Sequence, residues 1–366
     1  MQFLWYWPFA REEELDWAKA TARPGESIVV QVVDRAHAPS AGAHGVVTVV
    51  RDLPDVAGDV KGLRWMRSRA VTYSARARAR RRAWEGADFD LVHLHYLNRF
   101  TDAVARLPSP VVISVHDVVP HRARLGPVEH SVLRRTYGRG DALVVHHEAL
   151  RSQLVRKFDI DPQRIHVVPH QVFRTSHLRA PAGGPSTVLF FGALRHNKGL
   201  EVFIDAAERL RGSEIEFVIA GRGARDLEAL AIEAATRNPK IRAEIGFVTL
   251  ERKQELFTNA SLVALPYTAF ASQSGVLHDA YGHGRPVVVT DVGALGHSVR
   301  EDGSGLVAAA GDPDDLAVKI VEALEASTWS TLSGATERIR LERSPERTGE
   351  RLRSVYDLVL RAGAPS

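Results

Sequence analysis

Residues 270–299 read FASQSGVLHDAYGHGRPVVVTDVGALGHSV. A loop of small residues leads into a short helix that carries Asp279. Gly284 and Pro286 stop that helix, the apolar run Val287-Val288-Val289 reads as a buried strand, and Gly293 turns the chain again. Such loop-to-helix entries leave backbone N–H groups and the positive end of a helix dipole facing outward, which suits a phosphate. A bare helix–strand unit would show the same pattern, so the stretch speaks first for the fold and only then for a ligand.

Outward from it, strand-like and helix-like runs alternate along almost the whole chain, which predicts an α/β protein with parallel sheets. Strands are expected at 3–7, 27–33, 46–50, 91–95, 111–115, 143–145 and 165–168, with helices at 12–22 and 61–84. Residues 169–186, PHQVFRTSHLRAPAGGPS, are rich in Pro and Gly and read as a linker. A second series follows, with strands at 187–191, 216–220, 241–245, 262–265 and 287–290. Its helices are expected at 200–211, 224–237, 250–258 and 312–325, and a last helix at 345–361. A length of 366 residues suits two domains of this kind. The expected domains are residues 1–170 and 187–340, with residues 341–366 a C-terminal segment. Two doubly wound domains joined by one linker would face each other across a cleft lined by the carboxyl ends of their strands.

Composition narrows the chemistry. Cysteine is absent, which excludes disulfides, thiolate metal sites and cysteine nucleophiles. No apolar run reaches the roughly 18 residues that span a bilayer, and the N-terminus has no basic region ahead of its apolar stretch, so neither a span nor a signal peptide is expected. Net charge is +4, and the basic excess lies in the first half, mostly in RWMRSRAVTYSARARARRR from Arg64 to Arg82. That run, with Trp65, Met66, Tyr73 and Trp84 interleaved, reads as a solvated helix or as one that meets an anionic membrane or an acidic acceptor. No nucleic-acid-binding module surrounds it.

Four constellations carry candidate chemistry. FFGALRHNKG, 190–199, sets Arg195 and Lys198 on a Gly turn before a helix, a seat for a diphosphate or simply two solvated cations. AGRGARDLEAL, 220–230, places Gly221 and Gly223 between a strand and a helix; lacking a third Gly, it is a turn before it is a dinucleotide site. VVISVHDVVPH, 111–121, ends an apolar strand in His116-Asp117, where an imidazole can donate to an oxyanion or sugar hydroxyl, or bond backbone. His93 and His95 share one strand face, but spacing supplies no third ligand and no metal site is assigned.

Together these motifs resemble the donor-binding half of the retaining nucleotide-sugar glycosyltransferases of family 4, which have the GT-B fold. The likeness spans roughly residues 187–325. It runs from Gly192 through Arg195 and Lys198 to Gly199, then Ile219-Ala220-Gly221-x-Gly223, Gly246-Phe247-Val248 and Leu265-Pro266. It ends with Asp279-Ala280-x-x-x-Gly284-x-Pro286-Val287-Val288 and Thr290-Asp291-Val292-Gly293. The first half resembles the family at 91–95 and at Val115-His116-Asp117.

The resemblance implies a role for each position. Arg195 and Lys198 would hold the donor diphosphate, Asp279 the nucleotide ribose, and the backbone around Phe247 and Val248 the base. The glycine turns at Gly192, Gly221 and Gly223 would line the same site, and the amides of Ser274, Gly275 and Val276 would meet phosphate or sugar. His116 would reach the sugar or the β-phosphate. The final helix of such proteins crosses back onto the first domain. Three positions depart from the family pattern: Ala271 stands where its first carboxylate falls, Ala193 where an Arg follows the strand Gly, and Trp7-Pro8-Phe9-Ala10 where a Gly-Gly loop follows the first strand.

The implied function is transfer of a hexose from a nucleoside diphosphate, with retention and without a metal or other cofactor, to a glycan, lipid-linked or small-molecule acceptor held by the first half. A cytoplasmic protein is expected, with possible peripheral contact at the inner membrane face through the helix from Arg64 to Arg82. A non-catalytic nucleotide-sugar-binding relative and a nucleotide-sugar epimerase are the alternatives; a dehydrogenase lacks its glycine fingerprint.

Overall fold

The computed structural model describes residues 1–35, 38–55, 62–97, 102–104, 106–116, 118, 126–172, 186–269 and 274–362. The chain divides into two compact units, Met1–Gln171 with Pro345–Ser366, and Val172–Ser344.

The first unit begins with β1 (Gln2–Tyr6), α1 (Leu15–Thr21), β2 (Ser27–Val33), β3 (Gly42–His44), β4 (Val47–Leu53) and the long α2 (Gly62–Glu85). It continues with β5 (Leu91–Leu94), β6 (Val111–Ser114), α3 (Gly126–Tyr137), β7 (Ala142–Val145), α4 (Glu148–Phe158) and β8 (Ile165–Val167). Strands β5, β6 and β7 are buried at every position, as expected of parallel strands covered on both faces. The sheet order is β3-β4-β2-β1-β5-β6-β7-β8, parallel except at the edge pair β3–β4.

The second unit holds β9 (Thr187–Phe191), α5 (Leu200–Arg209), β10 (Glu216–Gly221), α6 (Arg225–Arg237), β11 (Ile241–Ile245), α7 (Leu250–Asn259) and β12 (Leu262–Leu265). After these come α8 (Gly275–Gly282), β13 (Val287–Thr290), α9 (Leu295–Asp302), β14 (Gly305–Ala308), α10 (Pro313–Leu324) and α11 (Ala326–Glu342). Its all-parallel sheet runs β11-β10-β9-β12-β13-β14. In both units the winding reverses beside the first strand, between β1 and β5 and between β9 and β12. Open α/β sheets take their ligands outside the carboxyl ends of the strands at that reversal.

The last helix, α12 (Pro345–Ala362), belongs to the first unit. Its Leu352, Val355 and Tyr356 are buried with Phe3, Trp5 and Trp17, and Arg353 pairs with Glu26 at 2.7 Å, both buried.

The basic run reads differently in the fold. Arg80 is 1% exposed and pairs with Asp102 at 2.6 Å, and the buried Arg76 donates to the Pro54 carbonyl at 2.7 Å. Two of its cations are therefore structural, while Arg67, Arg78, Arg81 and Arg82 point outward. The antiparallel β3, the helices α3, α4, α9 and α11, and β14 were not expected from sequence. Among the described residues no helix is long and apolar enough to cross a membrane.

Candidate functional site

At the reversal in the second unit, three strand ends are bound together by backbone. Gly192 N–H donates to Ala220 O at 2.9 Å, Leu194 N–H to Arg222 O at 2.9 Å, and Gly246 N–H to Gly221 O at 3.0 Å. A Cβ on Gly221 would lie 1.9 Å from Gly192 O, and one on Gly223 would lie 1.9 Å from Leu194 O. The G-x-G of 221–223 is thus demanded by chain packing on chain, which is the structural reading of that motif. Gly223 N–H also donates to Glu228 in the first turn of α6, at 2.8 Å.

Lys198 sits on a 3-10 turn, His196–Lys198, that enters α5. Its Nζ lies 3.6 Å from the centroid of the Tyr267 ring, just past β12. The Tyr267 hydroxyl is 2.9 Å from Ser274 Oγ, at the N-cap of α8. The first N–H groups of α8, at Gly275 and Val276, have no intrahelical acceptor, and Ser274, whose hydroxyl is spent on Tyr267, gives them no side-chain cap bond. Gly192 closes the ring of contacts: a Cβ there would touch Val276 at 3.4 Å. Among the described residues, a Cβ on Gly275 would meet nothing within 4 Å.

Burial and then the neighbouring Arg195 push the Lys198 ammonium down to about 8. Arg195 itself is exposed and makes no ion pair among the described residues. With His196, Arg222 and Glu228 it lines a depression of about 600 Å³ between the β9 and β10 loops. Asp279, in the second turn of α8, is held by Lys253 of α7 at 2.9 Å, both largely buried. Phe247, on the loop after β11, is 58% exposed, with the Arg222 guanidinium 5.6 Å from its ring centre; Val248 is half-buried. Gly192, Lys198, Ser274, Gly275, Val276 and Asp279 therefore converge, and Phe247, Val248, Gly221 and Gly223 lie on the loops bonded to them.

Sequence reasoning missed Lys253 and Tyr267. Tyr267 directly follows Leu265-Pro266 at a strand end, a usable signal; Lys253 is 26 positions from its partner and carries none. Ala271 and Asp117 lie outside the described residues.

His116 belongs to the first unit, at the end of β6, where imidazoles gather. Its Nε2–H donates to His95 O at 2.8 Å, its Nδ1 is 3.1 Å from His146 Nε2, and its ring stacks on Tyr96 at 4.8 Å. Burial lowers the proton affinity of His116 and drives those of His95 and His146 well down; His93 is pushed to about 3. His93 is spent on Tyr356, at 2.6 Å, and Ser114, at 2.9 Å. Among the described residues no three His, Asp or Glu side chains are grouped as metal ligands.

Two doubly wound units of parallel strands, each with its winding reversed beside the first strand, are the architecture of the GT-B fold. Residues 15–172 match the family model described as Glycosyltransferase Family 4, and residues 185–326 that described as Glycosyl transferases group 1. The O-antigen chain mannosyltransferase C of Escherichia coli is 26% identical over 268 residues, 70% of this chain and 71% of that protein. The D-inositol 3-phosphate glycosyltransferase of a Nocardioides species is 28% identical over 313 residues, 73% of this chain and 67% of that one. In fold, the sucrose-phosphate synthase of Thermosynechococcus elongatus aligns with a TM-score of 0.73 at 16% identity, covering 99% of this chain and 100% of that one. An Anabaena protein crystallised with UDP and glucose aligns at 0.68 and 17%, covering 98% of this chain and 100% of that one. The chain belongs to the family 4 glycosyltransferases.

Proposed function

We propose that this glycosyltransferase moves a hexose from a nucleoside diphosphate to a saccharide, lipid-linked or natural-product acceptor in polysaccharide or related biosynthesis, with retention and without a metal. The observation that carries the reading is Lys198, a half-buried ammonium at the reversal of the second sheet, beside the uncapped N-terminus of α8. The rate then depends on stabilising charge that grows on the departing diphosphate. Lys198 and Arg195 supply positive charge there, the α8 backbone N–H groups donate to phosphate oxygens, Asp279 takes the ribose hydroxyls, and Phe247 with the Val248 backbone takes the base. His116 reaches the transferred sugar or the β-phosphate once its Nε2–H leaves the His95 carbonyl. As the new C–O bond forms on the face from which the old one breaks, the acceptor proton leaves with the diphosphate. Retention is carried by the resemblance to family 4, and the nucleotide-sugar donor also by the UDP found in a structural relative.

The test is release of nucleoside diphosphate from UDP-glucose and from GDP-mannose, with and without EDTA. Release that survives chelation, with the donor's anomeric configuration kept in any glycoside formed, is expected. Dependence on a divalent ion, or inversion, contradicts the proposal. The outward Arg67, Arg78, Arg81 and Arg82 of α2 are proposed to meet an anionic membrane; failure to sediment with phosphatidylglycerol vesicles at low salt removes that contact.

A further inference from the structure

Tyr267 bridges Lys198 and the N-terminus of α8. Its ring centre lies 3.6 Å from the Lys198 Nζ, and its hydroxyl lies 2.9 Å from Ser274 Oγ. The residue itself is held in place on every side. It is 2% exposed, its N–H donates to Leu265 O at 2.9 Å, and its carbonyl accepts from Thr290 Oγ1 at 2.5 Å. The chain just before it is tight as well, since a Cβ on Gly199 would lie 1.9 Å from Pro266 O. Burial pushes the Tyr267 hydroxyl up to about 12, so it keeps its proton and can donate.

Serine is among the strongest N-cap residues, its oxygen ordinarily accepting from the N–H of the second or third helical residue. In α8 those residues are Val276 and Leu277. Ser274 occupies the cap position with the extended backbone of a cap, φ −93° and ψ 116°, yet its side chain makes no cap bond. Leu277 N–H is taken by Ser274 O at 3.0 Å, which leaves the Gly275 and Val276 N–H groups without an acceptor among the described residues.

We propose that Tyr267 is a positioning residue for phosphate binding: its hydroxyl holds that of Ser274 away from the Val276 N–H, which is thereby kept for a phosphate oxygen beside the Lys198 ammonium. This rests on the reading of the second reversal as the donor site. Without the Tyr267 hydroxyl, Ser274 turns about its Cα–Cβ bond and caps α8, and a phosphate must then compete with an internal acceptor for the same N–H. Stability hardly changes, because one buried hydrogen bond is lost and a cap bond of similar worth is gained. The aromatic ring has a separate task, which phenylalanine would retain: its face holds the ammonium.

The test compares the full chain with Tyr267→Phe, Ser274→Ala and the double variant, by amide hydrogen exchange without ligand and by calorimetric titration with UDP and with GDP. Tyr267→Phe should slow exchange at Val276 and weaken nucleotide binding about fivefold, the worth of an N-cap bond, with the thermal midpoint nearly unchanged. Ser274→Ala alone should bind within about twofold of wild type, because the hydroxyl it removes caps nothing. Adding Ser274→Ala to Tyr267→Phe should restore both the affinity and the exchange rate. A merely structural role of Tyr267 would be worsened by that second truncation, not repaired. Unchanged affinity in Tyr267→Phe, or a loss that Ser274→Ala does not repair, overturns the proposal. A wild type that binds neither UDP nor GDP instead removes the nucleotide reading of the reversal, and the positioning role with it, even where exchange at Val276 slows in Tyr267→Phe.

Discussion

The two sheets are wound in the same order yet filled in opposite ways where the winding reverses. In the second unit the loops beyond β9 and β12 meet backbone to backbone, a Cβ on Gly199 lying 1.9 Å from Pro266 O, and a cation, an aromatic ring and an uncapped helix gather beside that contact. In the first unit the equivalent space between β1 and β5 is plugged. Trp7 stacks on His95 at 4.6 Å, Trp5 lies 4.5 Å and Trp17 5.4 Å from the same ring, and all four residues are buried. Polar groups of that unit stand instead on the next strands, at His116, His146 and His170. Topology offers both units a crevice, and the side chains at one strand end decide which of them carries the cation.

Mutating each plug or cation probes this contrast. Trp7→Ala should act on stability, costing about 3–5 kcal/mol in denaturant unfolding, as large-to-small changes of buried aromatics do, without altering affinity for UDP. Unchanged stability would mean that the first crevice is not a packed core. Lys198→Ala should do the reverse, leaving the thermal midpoint nearly intact and lowering turnover about 10² to 10³-fold, roughly 2.7–4 kcal/mol of transition-state stabilisation. Near-normal turnover in that variant breaks the contrast from the other side.

Phe247→Ala should weaken UDP binding by about 1–3 kcal/mol if a base stacks on that exposed ring, with kcat little changed. The smallest effect is one of pH. Because the Lys198 ammonium is pushed down to about 8, the free protein loses that charge as pH rises through 8, and a bound diphosphate would hold the proton on. UDP affinity should therefore be full below about pH 8 and decline above it in calorimetric titrations, whereas Lys198→Ala should show no such decline. A flat wild-type profile to about pH 10 would separate Lys198 from the diphosphate.

Much of the second unit was legible because each of its strands ends in a glycine or a polar turn that a helix follows. The expected strands at 187–191, 241–245, 262–265 and 287–290 coincide with β9, β11, β12 and β13. Its later part was not: α11 opens with Ala-Ser-Thr-Trp and its buried stripe, Leu332, Ala335 and Ile339, begins only in its second turn and is interrupted by polar residues, and β14 is four residues long. In the first unit the function of Trp7 could not be read, since it is made by His95, brought alongside by the pairing of β1 with β5. The buried Arg80 is hidden in the same way, its partner Asp102 lying 22 positions on. Sequence pattern reports what a residue does along its own element; contacts between distant elements decide which cation is solvated, which is structural and which faces a ligand.

Hydrogen exchange of the full chain with and without UDP or GDP tests most directly whether the second reversal is the nucleotide site. Protection should concentrate at 192–199, 246–248 and 274–279, with the β1 and β5 ends around Trp7 and His95 unchanged. Protection by neither nucleotide, or protection centred on Trp7 and His95, would contradict the assignment.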